Sequence, residues 1–149
     1  MVPLRTEIRE LWHRVNRRMH DLVRHAFSDA ALAPPAFSML RCVTAEPGVT
    51  VSDVARRTKM VKSHVSKTVD QLARDGYLEK QPDPSDHRLI RLYATPAGRG
   101  RVAETEVLVR RAWDEALANV PEEQLDEVVR GLRTLLKALD REAPPPPGR

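Results

Sequence analysis

Residues 50–95 hold the pattern that leaves this chain the fewest options. Thr50 offers a hydroxyl at a helix start, and Asp53 follows three residues later in the place of a capping-box acid. The helix so opened, VSDVARRT at 51–58, is short, and Lys59 and Met60 make a tight connection to a second helix at 62–74. In that helix Val65, Val69 and Leu72 recur at helical spacing and face inward, while Ser63, Ser66, Lys67, Asp70 and Arg74 share the opposite side. Gly76 ends it. YLEKQ at 77–81 and RLIRLYA at 88–94 then read as strands, separated by the turn formers Pro82, Asp83, Pro84, Ser85 and Asp86.

Long helices flank this block. Leu4, Ile8, Leu11, Val15, Met19, Leu22 and Ala26 form one apolar stripe over 4–28, and Trp12, Val23 and Phe27 widen it. Pro34 and Pro35 interrupt, and Pro35 suits the first turn of a helix at 35–46, which Pro47-Gly48 ends. Thr95-Pro96 signals another start, with a hydroxyl at the cap and proline behind it. That helix is carried by Val102, Val109, Ala112, Trp113, Ala116 and Val120. Pro121 with Glu122 and Glu123 begins the last, whose stripe is Leu125, Val128, Val129, Leu132, Leu135, Leu136 and Leu139. APPPPGR at 143–149 cannot continue a helix and is expected to be a disordered tail.

The charge distribution says more than the net charge of +4. No acid lies between Asp53 and Asp70, yet Arg56, Arg57, Lys59, Lys62 and Lys67 all fall there, whereas Glu122, Glu123, Asp126 and Glu127 cluster near the other end. A local basic surface points to phosphate, and nucleic acid is the commonest long polyanion. The single cysteine, Cys42, forms no internal disulfide and supplies no multi-thiolate metal site. No segment approaches the roughly 20 apolar residues a membrane span needs. The N-terminus lacks a signal-peptide stretch, so a reduced, cytoplasmic protein is expected. There is no phosphate-binding glycine loop, and Ser63 and His64, adjacent on a helix, do not face one another. Neither an enzyme nor a cofactor is expected.

Helix, short helix, tight turn, helix and hairpin make a winged helix-turn-helix. With one long helix in front and two behind, the chain resembles the MarR family of bacterial transcription regulators over about residues 4–140. The resemblance is carried by VSDVARRTKMVKSHVSKTVDQLARDGYLEK, by PDPSDHRLIRLYATPAG with its D-x-R at Asp86–Arg88 and T-x-x-G at Thr95–Gly98, and by the flanking helices. It implies a mostly α fold with a small β-hairpin wing: dimerisation helices at 1–30 and 96–142 around a DNA-binding domain at 31–95. The width of the first stripe and the leucine-rich last helix independently suggest an association surface.

The function implied is that of a homodimeric, sequence-specific regulator, a ligand-responsive repressor on a pseudo-palindromic double-stranded DNA operator. The recognition helix would place Lys62, Ser63, His64, Ser66 and Lys67 in the major groove. Thr50, Ser52 and Arg56 would meet phosphate. In the family the wing enters the minor groove, so Arg88 is expected as the inserted residue and Asp86 as its orienting partner, with Arg91 facing either DNA or solvent. Many members place an aspartate just before the recognition helix; Val61 stands there in this chain. Either Ser63 caps a helix starting later, or the end is left to water and phosphate.

Members commonly respond to small anionic or aromatic effectors, and Trp12, His13, Arg17, His20 and Phe37 are the candidate pocket, set against ordinary packing. His13, His20 and His25 lack the spacing of a metal site. Cys42, among Met39, Leu40 and Val43, reads as a buried small apolar group, with redox sensing as the alternative. A winged helix serving as a protein-interaction module is the remaining alternative, disfavoured by the acid-free basic stretch.

Overall fold

The computed structural model describes residues 1–28 and 32–141. The expected tail at 143–149 lies outside the described residues. In order, the elements are α1 (Leu4–Ser28), α2 (Pro34–Ala45), β1 (Val49–Thr50), α3 (Val51–Thr58), α4 (Lys62–Arg74), β2 (Leu78–Pro82), β3 (Ile90–Ala94), α5 (Pro96–Leu117) and α6 (Glu122–Asp140). They divide into two compact units, Met1–Trp113 and the remainder from Asp114.

The core of the first unit is built where the winged-helix elements converge. Met39, Leu40 and Val43 of α2, Val54 of α3, Val65, Val69 and Leu72 of α4, and Leu92 of β3 are almost wholly buried. Each such side chain contributes about 1.5–3 kcal/mol relative to exposure. Phe27 of α1 joins edge-on to Phe37 of α2, ring centroids 5.4 Å apart at 64°. Val102 and Val109 carry α5 onto the same cluster.

The sheet departs from the expected hairpin. It has three strands in the order β1-β3-β2, all pairs antiparallel, with Val49 opposite Leu92 and Thr50 opposite Arg91. Gly48, at φ +90°, donates from its N–H to the Leu92 carbonyl at 2.8 Å and turns the chain into the added strand. A strand of two residues has no alternation to read, which is why the sequence conceals it. The wing strands also start later than the residues suggested, because Arg88 and Leu89 belong to the tip rather than to β3.

T-x-x-G is a structural device joining the wing to α5. Thr95 Oγ1 accepts from the Gly98 N–H at 3.1 Å, capping α5, and donates to the Gly76 carbonyl at 2.6 Å. Its own N–H donates to the Tyr77 carbonyl at 3.1 Å. Gly98 lies so close to that backbone that a Cβ there would fall 1.9 Å from Tyr77 O. Glycine is required by space, not by backbone conformation.

The long helices behave differently. On α1, Val23 and Phe27 pack on the core, but Leu4, Ile8, Leu11, Trp12 and Val15 are exposed. Considered by itself, α6 has no fully buried residue, and Val128, Val129, Leu132, Leu136 and Leu139 all face outward. Cys42 corrects one expectation: it is half-buried at the core's rim, not enclosed. Its side of α2 borders a depression shared with Arg57 and Met60, so the thiol lies at the edge of the packing.

Candidate nucleic-acid interface

The two helices of the helix-turn-helix begin in opposite ways. At α3, Thr50 Oγ1 accepts from the Asp53 N–H at 3.2 Å, and Asp53 Oδ2 accepts from the Thr50 N–H at 3.0 Å, a complete capping box. The Thr50 amide, ahead of the cap hydroxyl and the neighbouring Arg56, holds the Asp53 carboxyl below its usual pKa. Lys59 ends α3 in the left-handed conformation, φ 59°, and is the one non-glycine residue with positive φ among those described. That conformation makes the sharp turn into α4.

At α4, Val61 occupies the cap position and supplies no side-chain hydrogen bond. The helix begins at Lys62, so of the two sequence alternatives the uncapped end is the one adopted. The first intrahelical bond found there runs from the Val65 N–H to the Val61 carbonyl, leaving the N–H groups of Lys62, Ser63 and His64 without helical acceptors. The far end is closed by backbone bonds. The Gly76 N–H reaches the Ala73 carbonyl and the Tyr77 N–H the Leu72 carbonyl, with Gly76 at φ +80°.

Lys62, Ser63, His64, Ser66 and Lys67 are all exposed along α4, opposite Val65, Val69 and Leu72. Other basic residues nearby are already paired: Arg56 with Asp53 at 2.7 Å, Arg57 with Glu46 at 2.6 Å and Lys80 with Asp70 at 2.5 Å. Lys59, Lys62 and Lys67 have no acidic partner among the described residues. Uncompensated positive charge is therefore concentrated at the turn and on the first half of α4. Ser52 is exposed at the start of α3, whereas Arg56 and the Thr50 hydroxyl are engaged with Asp53.

The wing tip is organised by Asp83, a residue the sequence suggested only as a turn former. Its carboxylate is buried. Oδ1 accepts from the N–H groups of Ser85 (2.8 Å) and Asp86 (3.0 Å), and Oδ2 from Arg91 Nε (2.5 Å). The Arg91 guanidinium, and after it those amides, hold the Asp83 carboxyl below its usual pKa. Arg91 also donates from Nη1 to the Gly48 carbonyl at 2.9 Å, tying the wing to the segment before β1. Its guanidinium is thus committed inward. Beyond this tie, Asp86 Oδ1 accepts from both the backbone N–H and Nε of Arg88, each at 3.1 Å. The Arg88 side chain is 91% exposed, so its charged end projects outward from a braced base. Lys80 of β2 meets Asp70 of α4, which couples the wing to the exposed helix and lowers the Asp70 pKa.

The candidate effector residues are not gathered in one place. Arg17 lines a depression along α1 with Leu11, Arg14 and Arg18, and Trp12, His13 and His20 are exposed on that helix. Phe37 is a core residue that reaches the floor of a different, open depression of about 480 Å³, beside Arg41, Arg110 and Trp113. Phe37 and Arg41 lie about seventy positions from Arg110 and Trp113, so no spacing in the sequence signals that they line one depression.

Residues 32–89, from α2 to the wing, match the sequence model of the MarR family. The HTH-type transcriptional repressor Rv2887 of Mycobacterium tuberculosis is 26% identical over 125 residues, covering 84% of this chain and 90% of that protein. A MarR family protein from Bacillus stearothermophilus has the same fold, with a TM-score of 0.80 at 20% identity over 94% of this chain and 99% of that one. The transcriptional repressor CouR, solved bound to a 23-mer DNA duplex, superposes with a TM-score of 0.73 at 24% identity over 85% and 89%. With its helix-turn-helix and three-stranded wing, the chain has the fold of the MarR winged-helix proteins, and its residues 32–89 match that family's model.

Proposed function

We propose that this regulator works as a homodimeric repressor on a pseudo-palindromic operator. Each α4 lies in the major groove and each wing in the adjoining minor groove. The observation that carries the reading is the pairing pattern of the cations. Lys59, Lys62 and Lys67 are left uncompensated around the start of α4, while Arg88 projects from a tip held by Asp83 and Asp86. A guanidinium so presented suits the negative potential of a narrow minor groove. Ser63, His64 and Ser66 face the same way as the lysines and offer hydroxyl and imidazole groups to base edges. Ser52 and the free amides of α4 are suited to phosphate, and Arg91 positions the wing instead of touching DNA. The fold relative CouR, a transcriptional repressor solved bound to a 23-mer DNA duplex, supports a duplex as the partner.

Homodimerisation is supported by the uncovered stripes, Leu4 to Val15 on α1 and Val128 to Leu139 on α6, which are too extensive to leave in water. Repression follows from geometry, since a dimer seated on a promoter excludes polymerase. A small anionic or aromatic effector fits the depression at Phe37, Arg41, Arg110 and Trp113 or the arginine-lined one on α1. Its binding regulates only if it favours one separation of the two α4 helices over another.

Selection of bound fragments from genomic DNA tests the reading. A palindrome with half-sites about one helical turn apart is expected. On that duplex Arg88→Ala weakens binding while the dimer persists. Affinity falls by about 0.9 log units per log unit of salt for each phosphate neutralised. Lack of affinity for any fragment at low salt overturns the DNA reading and favours a protein-interaction module.

A further inference from the structure

Val61 has no structural task that its side chain can perform. It stands where a helix cap belongs, yet an isopropyl group accepts no hydrogen bond, and none is made. It is 71% exposed, more than any other large apolar side chain between residues 32 and 95; Leu89 and Ile90 at the wing follow at 41% and 36%. One helix earlier the same chain builds a complete capping box at Thr50, so the bare end of α4 contrasts with a neighbour under the same local physics. The residues on either side of Val61 sharpen the contrast. Lys59 and Lys62 flank it with uncompensated charge, and Ser63 and His64 continue the exposed face. An apolar group is therefore held out between two uncompensated lysines, at the leading end of the helix assigned to the major groove.

The chemistry of that groove restricts what such a group can recognise. Donor and acceptor edges give valine nothing, and a phosphate gives it less. The one apolar feature there is the C5-methyl group of thymine. We propose that Val61 is a specificity-determining residue whose isopropyl group packs on a thymine methyl in each half-site, favouring T·A over C·G at that position. This rests on the DNA reading above, and it adds a selectivity that the lysines and serines do not provide, because they meet phosphate and several base edges alike.

Deoxyuridine differs from thymidine only by the missing methyl, which makes the test direct. The duplex that the full-length protein binds most tightly from a randomised pool is remade with each symmetric pair of thymines replaced by deoxyuridine. One pair is expected to weaken wild-type binding, by about fourfold per half-site, as for the loss of one buried methylene-sized group, and by roughly fifteenfold for both. Replacement at the other pairs leaves affinity near its starting value. Val61→Ala, whose unfolding midpoint should match that of the wild type because the position is exposed, binds the thymine and deoxyuridine duplexes equally. If no duplex is selected at all, the DNA reading fails. If a duplex is bound but no deoxyuridine pair weakens it, or the ratio is unchanged in Val61→Ala, the thymine contact alone is overturned.

Discussion

Residues 32–95 and residues 122–140 spend their apolar side chains in opposite ways. In the winged-helix segment Met39, Leu40, Val43, Val54, Val65, Val69, Leu72 and Leu92 are almost wholly enclosed, and hydrogen bonds fix the exits of the elements. In α6 a comparable number of leucines and valines point outward, and no residue of the helix is fully buried. Both segments are regular and amphipathic. The first has satisfied its own stripe within one chain; the second presents a stripe that its own unit does not cover. Regular secondary structure is thus no measure of whether a segment is complete, and the winged-helix segment should tolerate separation from α6.

The sharpest way to break that contrast is to make α6 polar. Leu132 and Leu136 are 47% and 59% exposed, so about half of each remains to be covered. Leu132→Glu with Leu136→Glu should cost a dimer about 4 kcal/mol in burial across two copies, before the penalty for burying carboxylates. That is a rise of about a thousandfold in the dimer dissociation constant. Sedimentation velocity over a concentration series checks it, and an unchanged self-association constant would show that α6 is not the interface. The complementary change is Gly98→Ala, where α5 meets the completed segment at Tyr77. A methyl aimed at Tyr77 O forces α5 and the wing apart, at about 3 kcal/mol. Chemical denaturation of the intact chain reads this directly, and Thr95→Ala, which loses only hydrogen bonds, should cost less.

A smaller effect separates stability from function within the winged helix. Val61→Asp supplies the missing cap and places an acid at the positive end of α4, which should stabilise the protein by about 1 kcal/mol. The same acid stands beside Lys59 and Lys62 and should weaken duplex binding. A thermal melt and a gel-shift titration moving in opposite directions are the expected pair of results. Smallest is the acid response of the wing. Since the folded pKa of Asp83 lies below its unfolded value near 3.8, the carboxylate stabilises the tip above that pH and the contribution is lost as pH falls through the lowered folded value. Amide protection of Ser85 and Asp86 should accordingly fall as pH drops below about 3.8 in the wild type, and Asp83→Asn should flatten that dependence.

Much of the element order was open to reading because it depends on local causes. Thr50 and Asp53 three apart, Pro35, Gly76 and Thr95-Pro96 are signals whose physics lies within a few residues, and the helix bounds at 4–28, 51–58 and 62–74 agree with the structure. The exposed face of α4 was legible for the same reason, since helical spacing alone divides it from Val65, Val69 and Leu72. Arg91 and Asp83 were not. Their role depends on seven intervening residues folding back, and on Gly48, 43 positions from Arg91, presenting its carbonyl. Cys42 was misjudged because its neighbours in the sequence are enclosed while its own side of α2 is not.

The amino-acid order alone dictated which segments coil, where they stop, and that one stretch concentrates positive charge, because backbone capping and side-chain periodicity act over a single turn. Long-range closure determined the rest. It decided which arginine is sequestered and which is displayed, added a third strand through Gly48, and left Val61 bare. A side chain's exposure and partners are set by groups distant in the chain, and those become neighbours only when the core has formed.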